Sequence, residues 1–153
     1  LSLGCEKSNC TGPTWTYELF SDKEITITQD TFSGTPLTLY EILDGKKTVA
    51  TYTFGAKECE EIYDDEYTEH LSFQFDESLE AFEFKDEDIL DTNCFYYQSG
   101  AWVRHNRYRI QKGTITGKKL NESQWDIQIN VETTPADSSD IARQILIDGV
   151  FQK

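Results

Sequence analysis

The one basic segment of this acidic chain, residues 103–110, is the first place to look for binding chemistry. On a strand, Arg107 and Arg109 share a face with His105, while Arg104 lies on the opposite face. Such a row of cationic side chains holds a carboxylate or sulfate through paired hydrogen bonds. The alternative is that these cations pair with acidic side chains on a neighbouring strand. The 28 acidic residues of the chain favour that pairing.

Three aromatic residues beside the basic segment, Tyr96, Tyr97 and Trp102, are candidates for an exposed patch that binds a partner. Buried aromatic anchors dominate many protein interfaces, and a large exposed apolar patch marks such a site. The alternative interpretation, which the pattern favours, places these rings in the core.

Two acidic runs, residues 58–66 and 86–91, are candidate sites for a calcium ion. Calcium prefers several oxygen ligands, which carboxylates of adjacent loops supply. Neither run has the alternating acidic positions or the central glycine of the twelve-residue calcium loop. Solvated acidic loops are therefore the favoured interpretation. The candidate ligands are Asp64, Asp65, Glu66, Asp86 and Asp88.

The sequence offers little for catalysis. His70 and His105 are the only histidines, and no G-x-S-x-G elbow is present. Catalytic triads assemble in space, so sequence spacing does not exclude one. The missing motifs favour a protein that is not an enzyme, with an unrecognised hydrolase as the third hypothesis for its function. No cofactor is predicted.

Four cysteines, Cys5, Cys10, Cys59 and Cys94, form an even set without any CxxC pair. Zinc sites need closely spaced pairs, so disulfides are the better interpretation. Cys59 and Cys94 lie at the ends of predicted strands, and we expect them to form a disulfide. Cys10 is the rival partner for either thiol.

The first residues resemble the end of a bacterial lipoprotein signal, in which a small residue precedes a cysteine that becomes lipidated. Gly4 and Cys5 fit that pattern. The alternative is a free tail with a Cys5–Cys10 or longer disulfide. Both place the protein outside the cytoplasm, at a bacterial outer membrane or cell surface or as a secreted protein.

The net charge of −14 limits the partners. Such a surface repels phosphate and anionic headgroups, so we expect no nucleic-acid partner and no membrane contact except through a lipid anchor. With 153 residues, 37% hydrophobic and 27% charged, the chain is one globular domain. We expect residues 1–12 to form a tail or anchor and residues 13–153 to form the domain.

Alternation of apolar and polar residues predicts eight or nine strands and little helix. Residues 15–19, 25–28 and 125–131 show this alternation most clearly. Asp44-Gly45 predicts a hairpin turn. Residues 56–67 and 138–140 are the only candidates for short helical turns. An antiparallel meander closed into a barrel fits this pattern, with a β-sandwich as the alternative.

Short motifs carry two family resemblances. Gly12-Pro13-Thr14-Trp15 resembles the G-x-W start of lipocalins, and Arg143 is similar to the arginine that packs on that tryptophan. The chain also resembles small acidic β-rich lipoproteins of Bacteroidota. The motifs for that likeness are residues 113–117, 125–129 and 147–151.

These resemblances imply a lipocalin-like barrel with a surface anchor and a binding role. The expected function is that of a non-enzymatic lipoprotein that binds a small apolar ligand or a partner protein. An accessory subunit of a cell-surface or outer-membrane assembly is the alternative.

Overall fold

A computed structural model describes residues 10–56, 58–59, 66–101, 103 and 106–153. The protein is mainly β, with one 3₁₀ helix at Asp86–Thr92. The strands are β1 (Cys10–Thr11), β2 (Thr14–Phe32), β3 (Thr35–Asp44), β4 (Lys47–Gly55), β5 (Glu58–Cys59), β6 (Tyr67–Phe75), β7 (Ala81–Lys85), β8 (Phe95–Gly100), β9 (Arg107–Arg109), β10 (Gly113–Asn121), β11 (Gln124–Glu132) and β12 (Gln144–Gln152).

Ten strands form one mixed sheet in the order β7-β10-β11-β12-β2-β4-β6-β8-β9, with β3 paired to β2. The sheet curls through 260° into a half-barrel, so the prediction of a closed barrel is wrong. The edge strands β7 and β9 have only five and three residues. The 3₁₀ helix follows β7 and contacts it, and its Ile89 is buried in the inner core. A helix thus contributes to this side of the core in place of further strands.

One junction in the sheet is parallel. β12 joins β2 through a single residue pair, Gln152 with Glu18, whereas the other neighbouring strands are antiparallel. The prediction of a pure antiparallel meander is therefore wrong. At this junction Tyr17 packs against Gly149, where a Cβ atom would lie 2.6 Å from the ring. Glycine is required there because the ring approaches the backbone so closely.

The long strand β2 replaces two predicted strands. It bends near Asp22, and its two halves pair with different partners, β4 and β3. The predicted hairpin at Asp44-Gly45 is wrong, since β3 and β4 each pair with β2 and not with each other. The hairpin turn lies instead at Ser33-Gly34, where both residues have positive φ. Such angles match the turn type that joins twisted antiparallel strands.

The concave face of the half-barrel is filled by its own side chains. Phe73 and Phe75 of β6 contact Phe82, and Trp125 packs against Phe75 and Phe82 with ring centroids 4.8 and 5.3 Å away. These rings join a core that also includes Leu71, Ile115 and Phe151. Small barrels are filled in this way when they hold no ligand.

A second, smaller core lies on the outer face. The hairpin of β2 and β3 places Ile25 and Tyr40 against Val49 and Phe95. The Tyr40 and Phe95 rings stack with centroids 4.7 Å apart. The Ile25 amide donates to Gln74 Oε1 at 2.7 Å, which satisfies a polar side chain that would otherwise be costly to bury.

The predicted helical turns have a different outcome. Residues 138–140 form a turn rather than a helix, and most of 56–67 lies outside the described residues. The acidic run at 86–91 forms most of the 3₁₀ helix, which the sequence analysis missed. Its first turn carries three acidic side chains, which are favourable at a helix N-terminus.

The predicted Cys59–Cys94 disulfide is wrong. Cys59 bonds to Cys10 across the small β1–β5 sheet, and Cys94 is a buried free thiol. Cys59 follows β4, whose last residue pairs with Thr68, whereas Cys94 precedes Phe95, which pairs with Ser72. Four residues along a strand span roughly 13 Å. The two cysteines therefore lie toward opposite ends of β6, too far apart for a bond that needs Cα atoms about 6 Å apart.

Candidate functional site

Strand register places five side chains in one row on the outer face. Thr16, Thr53, His70, Tyr97 and Arg107 are consecutive partners across β2, β4, β6, β8 and β9. We call these five residues the outer row. Cross-strand partners on one face lie close enough for their side chains to interact.

Contacts along the outer row fix its central rings. The His70 imidazole stacks on Tyr97 at 4.5 Å, and the Arg107 guanidinium lies 4.7 Å from the centre of the same ring. The His70 ring nitrogens contact the hydroxyl groups of Thr53 and Thr68 at 3.4 and 3.1 Å. Desolvation, together with the nearby Arg107 charge, lowers the pKa of His70. The imidazole is therefore neutral at pH 7.

Arg107 and Arg109 lie on the same face, as predicted from alternation. Neither forms an ion pair with a described residue, so the favoured pairing of cations with carboxylates is not seen within the part of the chain that the structure describes. Arg107 donates to the carbonyl of Tyr40 at 3.1 Å, and Arg109 to that of Leu90 at 3.5 Å. His105, the third residue predicted on that face, and Arg104, predicted on the opposite face, lie outside the described residues.

The predicted aromatic patch is divided between the two faces of the sheet. Tyr97 is part of the outer row, whereas Tyr96 points inward and is buried. Trp102 lies outside the described residues. Adjacent strand residues point to opposite faces, so Tyr96 and Tyr97 cannot belong to one surface.

The predicted calcium ligands do not assemble in the part of the chain that the structure describes. Among those residues no group of three His, Cys, Asp or Glu side chains is placed to hold a metal ion. Asp86 accepts a hydrogen bond from the Gly113 amide at 3.0 Å, and Asp88 accepts one from the Lys85 amide at 3.4 Å. Glu66 is exposed, and Asp64 and Asp65 lie outside the described residues.

A second candidate site lies on the inner face beside β12. A pocket of about 210 Å³ is lined by Tyr52, Glu69, Tyr96, Arg143 and residues 144–147. We call it the β12 pocket. The Glu69 carboxylate accepts hydrogen bonds from the hydroxyl groups of Tyr67 at 2.7 Å and Tyr96 at 2.9 Å, both through Oε1. Gln98 in turn donates to the Tyr96 oxygen at 3.1 Å, which fixes that ring.

The phenols around Glu69 stay protonated well into the alkaline range. Desolvation, with the Glu69 charge as the next cause, raises the pKa of Tyr52 to about 12. Desolvation and the hydrogen bond to Glu69 raise the pKa of Tyr67 to about 12. Burial also raises the pKa of Tyr96 strongly. Tyr67 and Tyr96 therefore act as donors to the carboxylate and not as bases.

Most residues of this pocket were not predicted from the sequence. Arg143 entered only through the lipocalin resemblance, as the partner of Trp15; in the structure Trp15 packs on Phe54 at 5.6 Å, and Arg143 lines the β12 pocket. One signal was available: Glu69 shares its strand face with Leu71 and Phe73. A carboxylate on the same strand face as core residues indicates either that the core ends there or that a binding site lies there.

Comparison with known proteins identifies no relative: no family model, no curated protein and no solved structure matches the chain. Within its described part, the protein also contains no helix with the length and apolar character needed to cross a bilayer. The chain is thus characterised by its geometry, as a curled β half-barrel with a cationic aromatic row outside and a polar pocket inside.

Proposed function

We propose that the protein is a non-enzymatic extracytoplasmic binding protein, anchored through Cys5, that binds a partner protein through its outer row. The observation that carries this proposal is Arg107, a cation stacked on Tyr97 and without a carboxylate partner among the described residues. In a chain with a net charge of −14, an arginine left unpaired beside an aromatic ring is well suited to an acidic group of a partner. Tyrosine and arginine are also enriched among the residues that dominate binding energy.

The partner that fits this row presents a carboxylate next to an apolar side chain. The carboxylate pairs with the guanidinium of Arg107, of which only Nη1 donates to the Tyr40 carbonyl. The apolar group packs beside Tyr97 and the threonines of the row. A subunit of a cell-surface assembly, the alternative from the sequence, satisfies the same requirement.

Two other functions have less support. A small apolar ligand needs a lumen, and the described core is filled by rings such as Phe73 and Trp125. A hydrolase needs a base held by an orienting group, but the His70 nitrogens contact only threonine hydroxyls among the described residues. Native mass spectrometry of purified protein tests the apolar ligand, since a carrier retains lipid mass that organic extraction removes.

The test of partner binding compares Arg107→Gln with Lys118→Gln, a control that removes the same charge from β10. Tagged wild-type protein is used to isolate a partner from membranes, and the affinity of that purified partner is then measured for each variant. We expect Arg107→Gln to weaken binding about tenfold or more, because truncated hot-spot residues typically cost about 2 kcal/mol or more. Recovery of the bait alone, or equal affinities for both variants, contradicts the proposal.

Anchoring is tested separately. Mass spectrometry of protein from its native membrane should show a mature chain that starts at Cys5 and carries acyl groups. A free Cys5 thiol, or a disulfide from Cys5, contradicts the anchor but not the binding role.

A further inference from the structure

The β12 pocket carries an inference that does not depend on the outer row. Glu69 and Arg143 line the same space of about 210 Å³, yet the guanidinium and the carboxylate lie more than 4.0 Å apart and form no ion pair. Opposite charges that share a small pocket without meeting leave room for a ligand between them.

The polar groups of the pocket are only partly paired with other groups of the protein. Glu69 uses Oε1 for both phenol donors, and among the described residues no donor reaches its Oε2. The Tyr52 hydroxyl and the Arg143 guanidinium likewise have no hydrogen-bond partner in the described chain. Three solvent-accessible groups in one pocket, an acceptor, a neutral donor and a cationic donor, have no partner among the described residues, and together they define what a ligand must offer.

We propose that the β12 pocket binds a free amino acid or a similarly small zwitterion. The ammonium group of the ligand donates to Glu69 Oε2, and its carboxylate accepts from Arg143 and from the Tyr52 hydroxyl. Charge-assisted hydrogen bonds of this kind are the strongest that side chains make.

The pairing of charges explains why simpler ions fit less well. A ligand with only a positive charge meets the guanidinium of Arg143, and one with only a negative charge meets the carboxylate of Glu69. In a zwitterion each charge has its own counter-charge. A pocket of this volume is also smaller than the roughly 300–1,000 Å³ of sites for drug-sized molecules, which favours a ligand of single amino-acid size.

The hydrogen bonds around Glu69 prepare the site. Tyr67 and Tyr96 hold Oε1 from two sides, so the carboxylate does not have to be ordered when a ligand arrives. Preorganisation of this kind reduces the entropic cost of binding. Ile145 and Ile147 supply an apolar wall next to the charged groups, and this wall would contact the ligand side chain.

The experiment titrates the full-length protein with glycine, L-alanine and L-leucine, with acetate and methylammonium as single-charge controls. Binding is followed through the amide NMR signals of residues 143–147 and through calorimetry. We expect at least one amino acid to shift these signals with saturation, and acetate and methylammonium to bind at least tenfold more weakly.

Matched variants then assign the contacts. Glu69→Gln keeps the side-chain shape and removes the charge, whereas Arg143→Gln shortens the side chain and removes the guanidinium. Each should weaken binding of the amino acid about tenfold or more, since hydrogen bonds to charged groups contribute more than neutral ones. Tyr52→Phe should weaken it less, and Lys118→Gln should leave it unchanged. Circular dichroism checks that each variant is folded, and Tyr52→Phe serves as the test if either charge variant is not.

Four outcomes overturn the proposal: no saturable shift with any amino acid, equal binding of acetate or methylammonium, unchanged affinity in both charge variants, or shifts confined to residues remote from β12. None of these outcomes affects the proposed outer-row function, because the Arg107 variant is not part of this test.

Discussion

Two halves of the same strand face differ sharply in this protein. On β6, Leu71, Phe73 and Phe75 are buried against other rings, whereas Tyr67 and Glu69 on the same face are only partly buried. The first three residues belong to a close-packed core in which each ring contacts others. The last two lie in or beside a pocket whose polar groups are open to solvent.

The comparison shows how a half-barrel accommodates a carboxylate on its concave face. A buried charge is costly unless hydrogen bonds replace its hydration. Glu69 obtains two such bonds from phenols, and the pocket leaves its other oxygen open. The apolar half of the face needs only close packing. Substitutions in the apolar half should therefore lower the free energy of unfolding far more than substitutions in the polar half.

The largest expected effect comes from truncation of a ring in the apolar half. Phe73→Ala should lower the free energy of unfolding by about 3–5 kcal/mol, because it removes a buried ring and leaves a cavity. Tyr52→Phe, on the same concave face, should change it by no more than about 0.5 kcal/mol, because the lost hydroxyl has no partner among the described residues. Guanidinium chloride denaturation measures both. Equal losses would contradict the division of the face.

A crosslink beside the polar half should have the next largest effect. The Cys10–Cys59 bond joins residues 49 positions apart, and its removal in the Cys10→Ser/Cys59→Ser double variant should lower the free energy of unfolding by about 2–4 kcal/mol. Cys94→Ala should cost less, since only a small buried thiol is lost. Non-reducing peptide mapping is the direct check, and a peptide that links Cys59 to Cys94 would contradict the pairing.

A substitution at Gly149 tests how closely β12 packs against β2. Gly149→Ala should lower the free energy of unfolding by about 1–3 kcal/mol, because the new Cβ overlaps the Tyr17 ring. Gly12→Ala is the matched control, since no atom lies within 4 Å of a Cβ built there. Thermal unfolding of the two variants compares them. A neutral Gly149→Ala would show that β12 and β2 are not closely packed at this point.

The ionisation of the Tyr67 phenol should have the smallest effect on stability at neutral pH. The pKa of Tyr67 is raised from 10.0 to about 12, so the folded state binds this proton more tightly than the unfolded state. The resulting stabilisation is complete below pH 10 and is lost as the pH rises through about 12. Glu69→Gln should move the ionisation of Tyr67 to lower pH because the negative charge is removed.

Ultraviolet titration of tyrosinate follows this change, and Tyr67→Phe identifies the affected signal. An unchanged titration curve in Glu69→Gln would show that the carboxylate does not govern the phenols.

Much of the local structure was predictable. Alternation identified most strands, including Trp15 to Leu19 and Trp125 to Val131, because each alternate residue faces a core. The same rule placed Arg107 and Arg109 on one face. These predictions depend on neighbours in sequence, which a pattern of period two records directly.

Pairing between distant residues was not predictable in the same way. The Asp44-Gly45 hairpin failed because β2 is long enough to pair with β3 and β4 in succession. The disulfide failed because strand order, and not distance along the chain, decides which cysteines meet.

The sequence by itself determined the strand-rich composition, the acidic charge and which side chains alternate between faces, since those properties are local. Only the tertiary structure decided that the barrel stays half open, that His70 and Arg107 share one tyrosine ring, and that Glu69 and Arg143 line one pocket. Each depends on the register and order of strands that are far apart in the chain, because a shift of one residue in pairing moves a side chain to the other face.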